Sequence, residues 1–341
     1  MQSSHKLPLA AALSIVVAVL ALAACGGSST KSSSGGSAKL TLVAYSTPKD
    51  VYASIIPAFQ KTPAGKGVTF DQSYGASGEQ SRAVLNGLSA DVVAFSLSPD
   101  INRLAKAGLV DPNWKDAEPH SANVSNSVVV LAVRKGNPKH IKSWSDVIKP
   151  GVQVVTPNPF TSGGARWNIM AAYGAQIKAG KSPKQAEAYL KQLIKHTVVQ
   201  DKSARESLQT FTGGKGDVLI AYENEAIGAQ QKGQSLDFVI PDSTLLIETP
   251  AAVLKNSKHP KQAKAFLDYL FTPASQKAFA AKGYRPVDPA LLDAKQFPSP
   301  PGLFKIADLG GWTDVTTKFF DPQNGVVAKI EQGQGVSTAS K

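Results

Sequence analysis

The sequence has one cysteine, Cys25, and two methionines in 341 residues. A single thiol closes no internal disulfide, so the fold must rest on its apolar core. Also missing are a CxxC or paired-histidine metal spacing, a GxSxG or HExxH signature, and any repeat of roughly 20–50 residues. His5, His120, His140, His196 and His259 fall at no spacing that would build a triad around a serine. No metal and no cofactor is expected, and the enzyme classes lose their usual starting points. Acids are scarce too, 25 against 37 basic residues, for a formal charge of +12. Such a balance suits nucleic acid, an anionic membrane surface or the steering of a small anion. The basic-aromatic interleaving of a nucleic-acid binder is absent.

The one long apolar run lies at the start, residues 7–24, behind a short head carrying His5 and Lys6. It reads as a signal peptide over 1–24, too compact and alanine-rich to be a first choice for a span. Leu22-Ala23-Ala24-Cys25 looks like a lipobox, in which Cys25 becomes the lipidated mature N-terminus; plain cleavage near Ala24 and an uncleaved anchor are the alternatives. Residues 25–38 then form a lipidated Cys and a flexible Gly/Ser linker, poor in apolar side chains. Residues 1–38 carry Lys6 and Lys31 and no acid, leaving +10 on the remainder. About 300 residues follow, enough for two domains with sizeable cores.

Strand and helix patterns alternate through that remainder, which predicts an α/β sheet with right-handed crossovers. Strands are expected at Lys39–Ser46, Val68–Gln72, Asp91–Leu97, Ser127–Arg134, near Val198 and at Asp217–Tyr222. Helices are expected at Val51–Gln60, from Ser77 to Leu88, near 164–178 and 184–195, from Ser203 and from Asn224. Gln80 stands three residues after Ser77, a capping-box spacing with Ser77 as N-cap. Amphipathic stretches follow at 260–271 and 273–282, and Trp312, Phe319 and Phe320 are expected to pack the tail down.

The most informative stretch is Pro157-Asn158-Pro159-Phe160-Thr161-Ser162-Gly163-Gly164-Ala165-Arg166-Trp167-Asn168. A β-rich run ends in prolines, and Ser-Gly-Gly then opens a helical run. The glycines let backbone N–H groups approach a ligand with no Cβ in the way, and the first N–H groups of a helix have no intrahelical partner. That is the shape of an anion cradle, although a serine N-cap on an ordinary loop has the same local sequence. Ser77-Gly78 and Ser203-Ala204 offer two further helix starts with small residues.

With SYGASGEQ (73–80), RKGNP (134–138) and DVLIAYENEA (217–226), this stretch resembles the signatures of bacterial periplasmic sulfate-binding proteins, over nearly the whole mature chain. The resemblance implies a bilobal periplasmic-binding-protein fold (type II), two α/β domains with a ligand cleft between them. It implies lobe 1 from 39–126 plus 251–310, lobe 2 from 127–250, and a tail, 311–341, packed on the lobes. It further implies a monomeric solute-binding lipoprotein, not an enzyme, that captures sulfate or thiosulfate outside the cytoplasm for an ABC importer. Matched residue by residue, the implied ligand groups are the N–H of Ser77, the Ser162 hydroxyl, and the N–H groups of Gly163, Gly164 and Ala204. The family's indole donor falls at Tyr222, whose hydroxyl can donate but also accept.

Two acids also depart from the pattern. Glu206 sits where a carboxylate is unfavourable for a dianion, with Arg205 or Arg166 as neutralising candidates, and Glu79 is expected to point to solvent. The alternatives are a binding protein for another tetrahedral oxyanion, molybdate or phosphate, and a hydrolase using Ser162 as nucleophile. Neither Lys181, Lys184, Lys191 nor Lys195 is assigned more than a solvated helix face.

Overall fold

The computed structural model describes residues 37–336 and 338. The run read as a signal peptide, Cys25 and the stretch read as a linker, as far as residue 36, lie outside the described residues. Ala38, read as linker, instead opens the first strand. Among the described residues no helix is long and apolar enough to cross a membrane.

The strands are β1 (Ala38–Tyr45), β2 (Val68–Gly75), β3 (Val92–Ala94), β4 (Asn123–Arg134), β5 (Val154–Pro157), β6 (Thr197–Asp201), β7 (Val218–Tyr222), β8 (Leu236–Val239), β9 (Ser243–Val253) and β10 (Gly302–Phe304). The helices are α1 (Lys49–Gln60), α2 (Ser77–Leu85), α3 (Ser98–Lys106), α4 (Trp144–Val147), α5 (Gly163–Lys178), α6 (Pro183–His196), α7 (Ala204–Thr212), α8 (Glu223–Gln231), α9 (Pro260–Leu270), α10 (Pro273–Ala281), α11 (Gly311–Phe320) and α12 (Val326–Gln332).

The sheet runs β2-β1-β3-β9-β4-β7-β5-β6, with β10 added to β9 and β8 to β4. β1, β2 and β3 are mutually parallel, as are β5, β6 and β7. Between them β9 runs antiparallel to β3 and to β4, and β4 antiparallel to β7. The two parallel sets therefore point in opposite directions, and residues at their carboxyl ends meet around one cavity. That is the bilobal α/β architecture, and open α/β sheets bind ligands outside their carboxyl ends.

The long strands β4 and β9 serve both halves. β4 pairs with β9 through Asn123–Val128 and with β7 through Val129–Val133. Its side chains alternate between two cores: Val128, Val130 and Ala132 face one, Val129, Leu131 and Val133 the other. Burial on both faces explains the unbroken apolar run of this segment. The first half has its own cores, Tyr52, Phe59, Phe266 and Phe279 on one side and Phe95, Ile101 and Trp114 on the other. In the tail, Trp312 meets Trp167 edge-on at 4.6 Å and Phe319 meets Tyr173 at 4.7 Å, which ties α11 to α5.

Two of the boundaries that differ from the pattern-based expectation shape the region between the strand ends. The strand expected at Asp91–Leu97 stops at Ala94: Phe95 N–H bonds to the Pro250 carbonyl and Ser96 N–H to Ser77 Oγ, so the chain leaves the ladder. Helix α2 ends at Leu85, and its first cap is Ala76, with no side-chain cap. Ser77 is thus not the N-cap. Its hydroxyl is taken by Asp100 at 2.6 Å, and Gln80 turns back to Ser73 at 3.0 Å instead of closing a capping box.

Candidate oxyanion site

Six carboxyl ends deliver the residues of one small cavity. Tyr45, Ser46 and Thr47 follow β1, Ala76 and Ser77 follow β2, and Ser96 follows β3. Ser162 follows β5, Ala204 follows β6, and Tyr222 ends β7. Every polar side chain lining the cavity carries a hydroxyl, and no charged side chain lines it. A space this small and this polar suits an inorganic ion better than an organic metabolite.

Ser77, Ser162, Gly164, Ala204 and Tyr222 all reach this cavity. Gly163 stands just behind it: a Cβ there would meet Leu97 Cδ2 at 2.8 Å and Ser96 Oγ at 2.9 Å. Only glycine lets the start of α5 approach the segment after β3 so closely. The helix starts are arranged to keep their donors available. Ser162 is the N-cap of α5 yet makes no side-chain cap bond, so neither its hydroxyl nor the orphan N–H groups that follow are spent within the helix. Ser203 caps α7 by accepting from Glu206 N–H at 3.3 Å, while the Glu206 carboxylate accepts from Ser203 N–H at 3.0 Å.

That closed capping box accounts for Glu206. Its carboxylate is held against the backbone at an exposed position, and neither proposed cation neutralises it. Arg205 instead donates to the carbonyls of Ser46 (3.0 Å) and Thr47 (3.4 Å) and pairs with Asp50 at 3.5 Å. Arg166 donates to the Pro159 carbonyl at 2.9 Å and lies over the Phe320 ring. Desolvation lowers the Arg166 guanidinium to about 10, with nearby Asp100 opposing the shift. Glu79 does not point freely to solvent; it pairs with Lys202 at 3.0 Å. Gly78 N–H meanwhile bonds to the Thr161 carbonyl at 3.2 Å, so α2 and the loop before α5 touch directly.

Behind the cavity, Trp167 is fully buried and donates its indole N–H to the Ser96 carbonyl at 2.7 Å. The Tyr222 hydroxyl lies 2.6 Å from Ser96 Oγ. Burial holds that phenol well above its ordinary range, so it keeps its proton. Glu225 accepts from Tyr222 N–H at 3.2 Å, and burial pushes its carboxyl up to about 7, against the pull of that N–H and of Arg205. Among the described residues no group of three or more His, Cys, Asp or Glu stands together to hold a metal.

Tyr45, Ser46, Thr47, Ala76 and Ser96 were not anticipated. Ser46-Thr47 before α1 repeats the signal of a strand followed by small hydroxyl residues and a helix. Ser96 gave none, because its strand looked continuous.

Comparison with known proteins places the chain in a family. Residues 40–285 match the family model described as bacterial extracellular solute-binding protein. The sulfate-binding protein of Synechococcus elongatus is 46% identical, covering 92% of this chain and 93% of that protein. The thiosulfate-binding protein of Pseudomonas aeruginosa is 36% identical over 82% of this chain and 88% of that protein. Among solved structures, the sulfate-binding protein SubI from Mycobacterium tuberculosis superposes with a TM-score of 0.81 at 44% identity, covering 83% of this chain and all of that one. A periplasmic thiamin binding protein, 20% identical with a TM-score of 0.64, shares the fold. The chain therefore belongs to the bacterial extracellular solute-binding proteins, in the group that contains the sulfate- and thiosulfate-binding proteins.

Proposed function

We propose that this protein captures sulfate outside the cytoplasm and delivers it to an ABC importer, as a binding protein with no catalytic step of its own. The observation that carries this reading is one small cavity where three helix starts meet, lined by hydroxyls and by no charged side chain. A dianion without protons only accepts hydrogen bonds, and its burial costs several kcal/mol or more unless donors replace the lost water. The N–H groups of Ser77, Gly163, Gly164 and Ala204, with the hydroxyls of Ser162 and Tyr222, are the assigned donors. Charge-assisted bonds of this kind are the stronger ones.

Lobe 1 is assigned to 39–126 with 251–310 and lobe 2 to 127–250. Ser77 then belongs to one and the other donors to the second, so the ion favours the closed state by contacting both. Lipidation of Cys25 and the Gly/Ser linker would keep a monomer at the outer face of the membrane. Thiosulfate, the ligand in the name of one group of relatives, presents unprotonated oxygens to the same donors.

Calorimetric titration of the lipid-free domain with sulfate, thiosulfate, phosphate and molybdate tests the reading. Strong binding of sulfate with rejection of phosphate is expected. Binding of phosphate or molybdate with no response to sulfate would overturn it.

A further inference from the structure

Ser96 is held from four sides. Its N–H donates to Ser77 Oγ at 3.0 Å, its carbonyl accepts from Trp167 Nε1 at 2.7 Å, and the start of α5 presses on it at Gly163. The fourth contact is Tyr222, hydroxyl to hydroxyl at 2.6 Å. Both side chains are 1% exposed and both line the cavity. Ser96 follows β3, whereas Tyr222 ends β7, so the two reach each other from the opposed halves of the sheet.

The two hydroxyls own two protons, and the bond between them uses one. With Tyr222 as the assigned donor to the anion, the bond runs from Ser96 to Tyr222: it occupies a lone pair of the phenol oxygen and leaves the Tyr222 O–H to point into the cavity. A tyrosine hydroxyl without this neighbour could turn a lone pair toward a protonated oxyanion and accept from it.

We infer that Ser96 is a specificity-determining residue: by donating to the Tyr222 oxygen it aims the Tyr222 O–H at the captured anion and occupies a lone pair with which that oxygen would accept, and so favours oxyanions that carry no proton. This rests on the oxyanion-capture reading proposed above and says how the site sorts within that class. Because its backbone and Cβ are pinned independently of any ligand, Ser96 stands in place beside the Tyr222 hydroxyl before an anion arrives. Burial keeps the phenol protonated throughout the physiological range, so Tyr222 does not lose its role as a donor by ionising.

The test is calorimetric titration of the parent, Ser96→Ala, Tyr222→Phe and the double variant. Sulfate and inorganic phosphate are the probes, at mildly alkaline pH where phosphate bears one proton. Ser96→Ala is expected to weaken sulfate about tenfold and to shift the preference toward phosphate. The double variant should bind sulfate within about twofold of Tyr222→Phe, because Ser96 acts through that hydroxyl. Ser96→Thr, which keeps the hydroxyl, should restore the parent's preference. Parent-like sulfate affinity and phosphate rejection in Ser96→Ala would overturn the inference, as would fully additive losses in the double variant. If Ser96→Ala does not fold, Ser96→Cys, similar in size and a poor donor, must show the same shift, and its absence overturns the inference equally. A parent that ignores sulfate sinks the oxyanion reading itself; a parent that binds it while the Ser96 variants match it sinks only this inference.

Discussion

Glu223 and Arg285 form a two-pronged ion pair, at 2.6 and 2.9 Å, with side chains only 1% and 5% exposed. Glu223 opens α8 directly after Tyr222, and Arg285 exchanges both backbone bonds with Asn126 on β4, at 2.8 and 2.9 Å. The pair thus fastens the start of α8 to the strand shared by both halves. Burial still pushes the Glu223 carboxyl up, against the pull of Arg285. Removing one partner leaves the other as an uncompensated buried charge. Arg285→Ala is expected to cost about 3–5 kcal/mol of stability, measured by urea unfolding, and a loss below about 1 kcal/mol would contradict this role.

Glu225 gives stability a pH dependence of definite sign. Its carboxyl is raised in the folded protein to about 7 from an ordinary 4.5, chiefly by burial. Between these values the folded state holds the proton and the unfolded state releases it, so stability falls as pH rises through the window. The full effect is on the order of 3 kcal/mol. Glu225→Gln removes the term: its melting temperature, compared with the parent's, should gain steadily from about pH 4.5 to about pH 8. A difference constant with pH would refute the assignment.

Adjacent glycines at the start of α5 should fail in different ways. A methyl at Gly163 meets Leu97 and Ser96 below 3.0 Å, whereas one at Gly164 lies 3.3 Å from Ser162 Oγ, 3.4 Å from Ala204 Cβ and 3.6 Å from the Tyr222 ring. Gly163→Ala overpacks a buried contact and is expected to lower stability by about 1–3 kcal/mol. Gly164→Ala should melt close to the parent but weaken sulfate at least about tenfold, because its methyl enters the cavity. Paired melting and calorimetric measurements distinguish them, and equal behaviour of the two variants would count against the cavity as the binding place.

Asp50, at the start of α1, takes both Lys232 and Arg205. These bonds reach across from α8 and α7, so Asp50→Asn should loosen the closed form. The side chains are about a third to a half exposed, which limits the pairs to about a kcal/mol or less and makes them sensitive to salt. A two- to fivefold loss of sulfate affinity at low ionic strength, shrinking as salt is added, is the expected result. A loss independent of salt would point to some other role for Asp50.

Much of this molecule is legible in its sequence because the signals are local. Apolar runs such as Val128–Val133 betray a strand buried on both faces, and Ser162-Gly163-Gly164 announces a helix start made for close approach. The departures arise where a distant partner wins. Ser77 has the spacing of a cap, yet Asp100, 23 residues away, claims its hydroxyl. Ser96 reads as the continuation of a strand until Ser77 and Trp167 draw it out of the ladder. Glu79 finds Lys202 across a sequence gap that no periodicity spans. The pairing of Ser96 with Tyr222 belongs to the same kind, a contact between residues 126 positions apart.

The order of strands also governs how the chain is made. β3 ends at Ala94, but its neighbour β9 does not begin until Ser243. A nascent chain emerging from the ribosome therefore carries β1, β2 and β3 with an unpaired edge until β9 has followed. Pairings so far apart in sequence close slowly, since the loop entropy must be met before contacts reward it. The first half-sheet stays unfinished until Val253 has been synthesised, so the early strands wait for a partner made long after them.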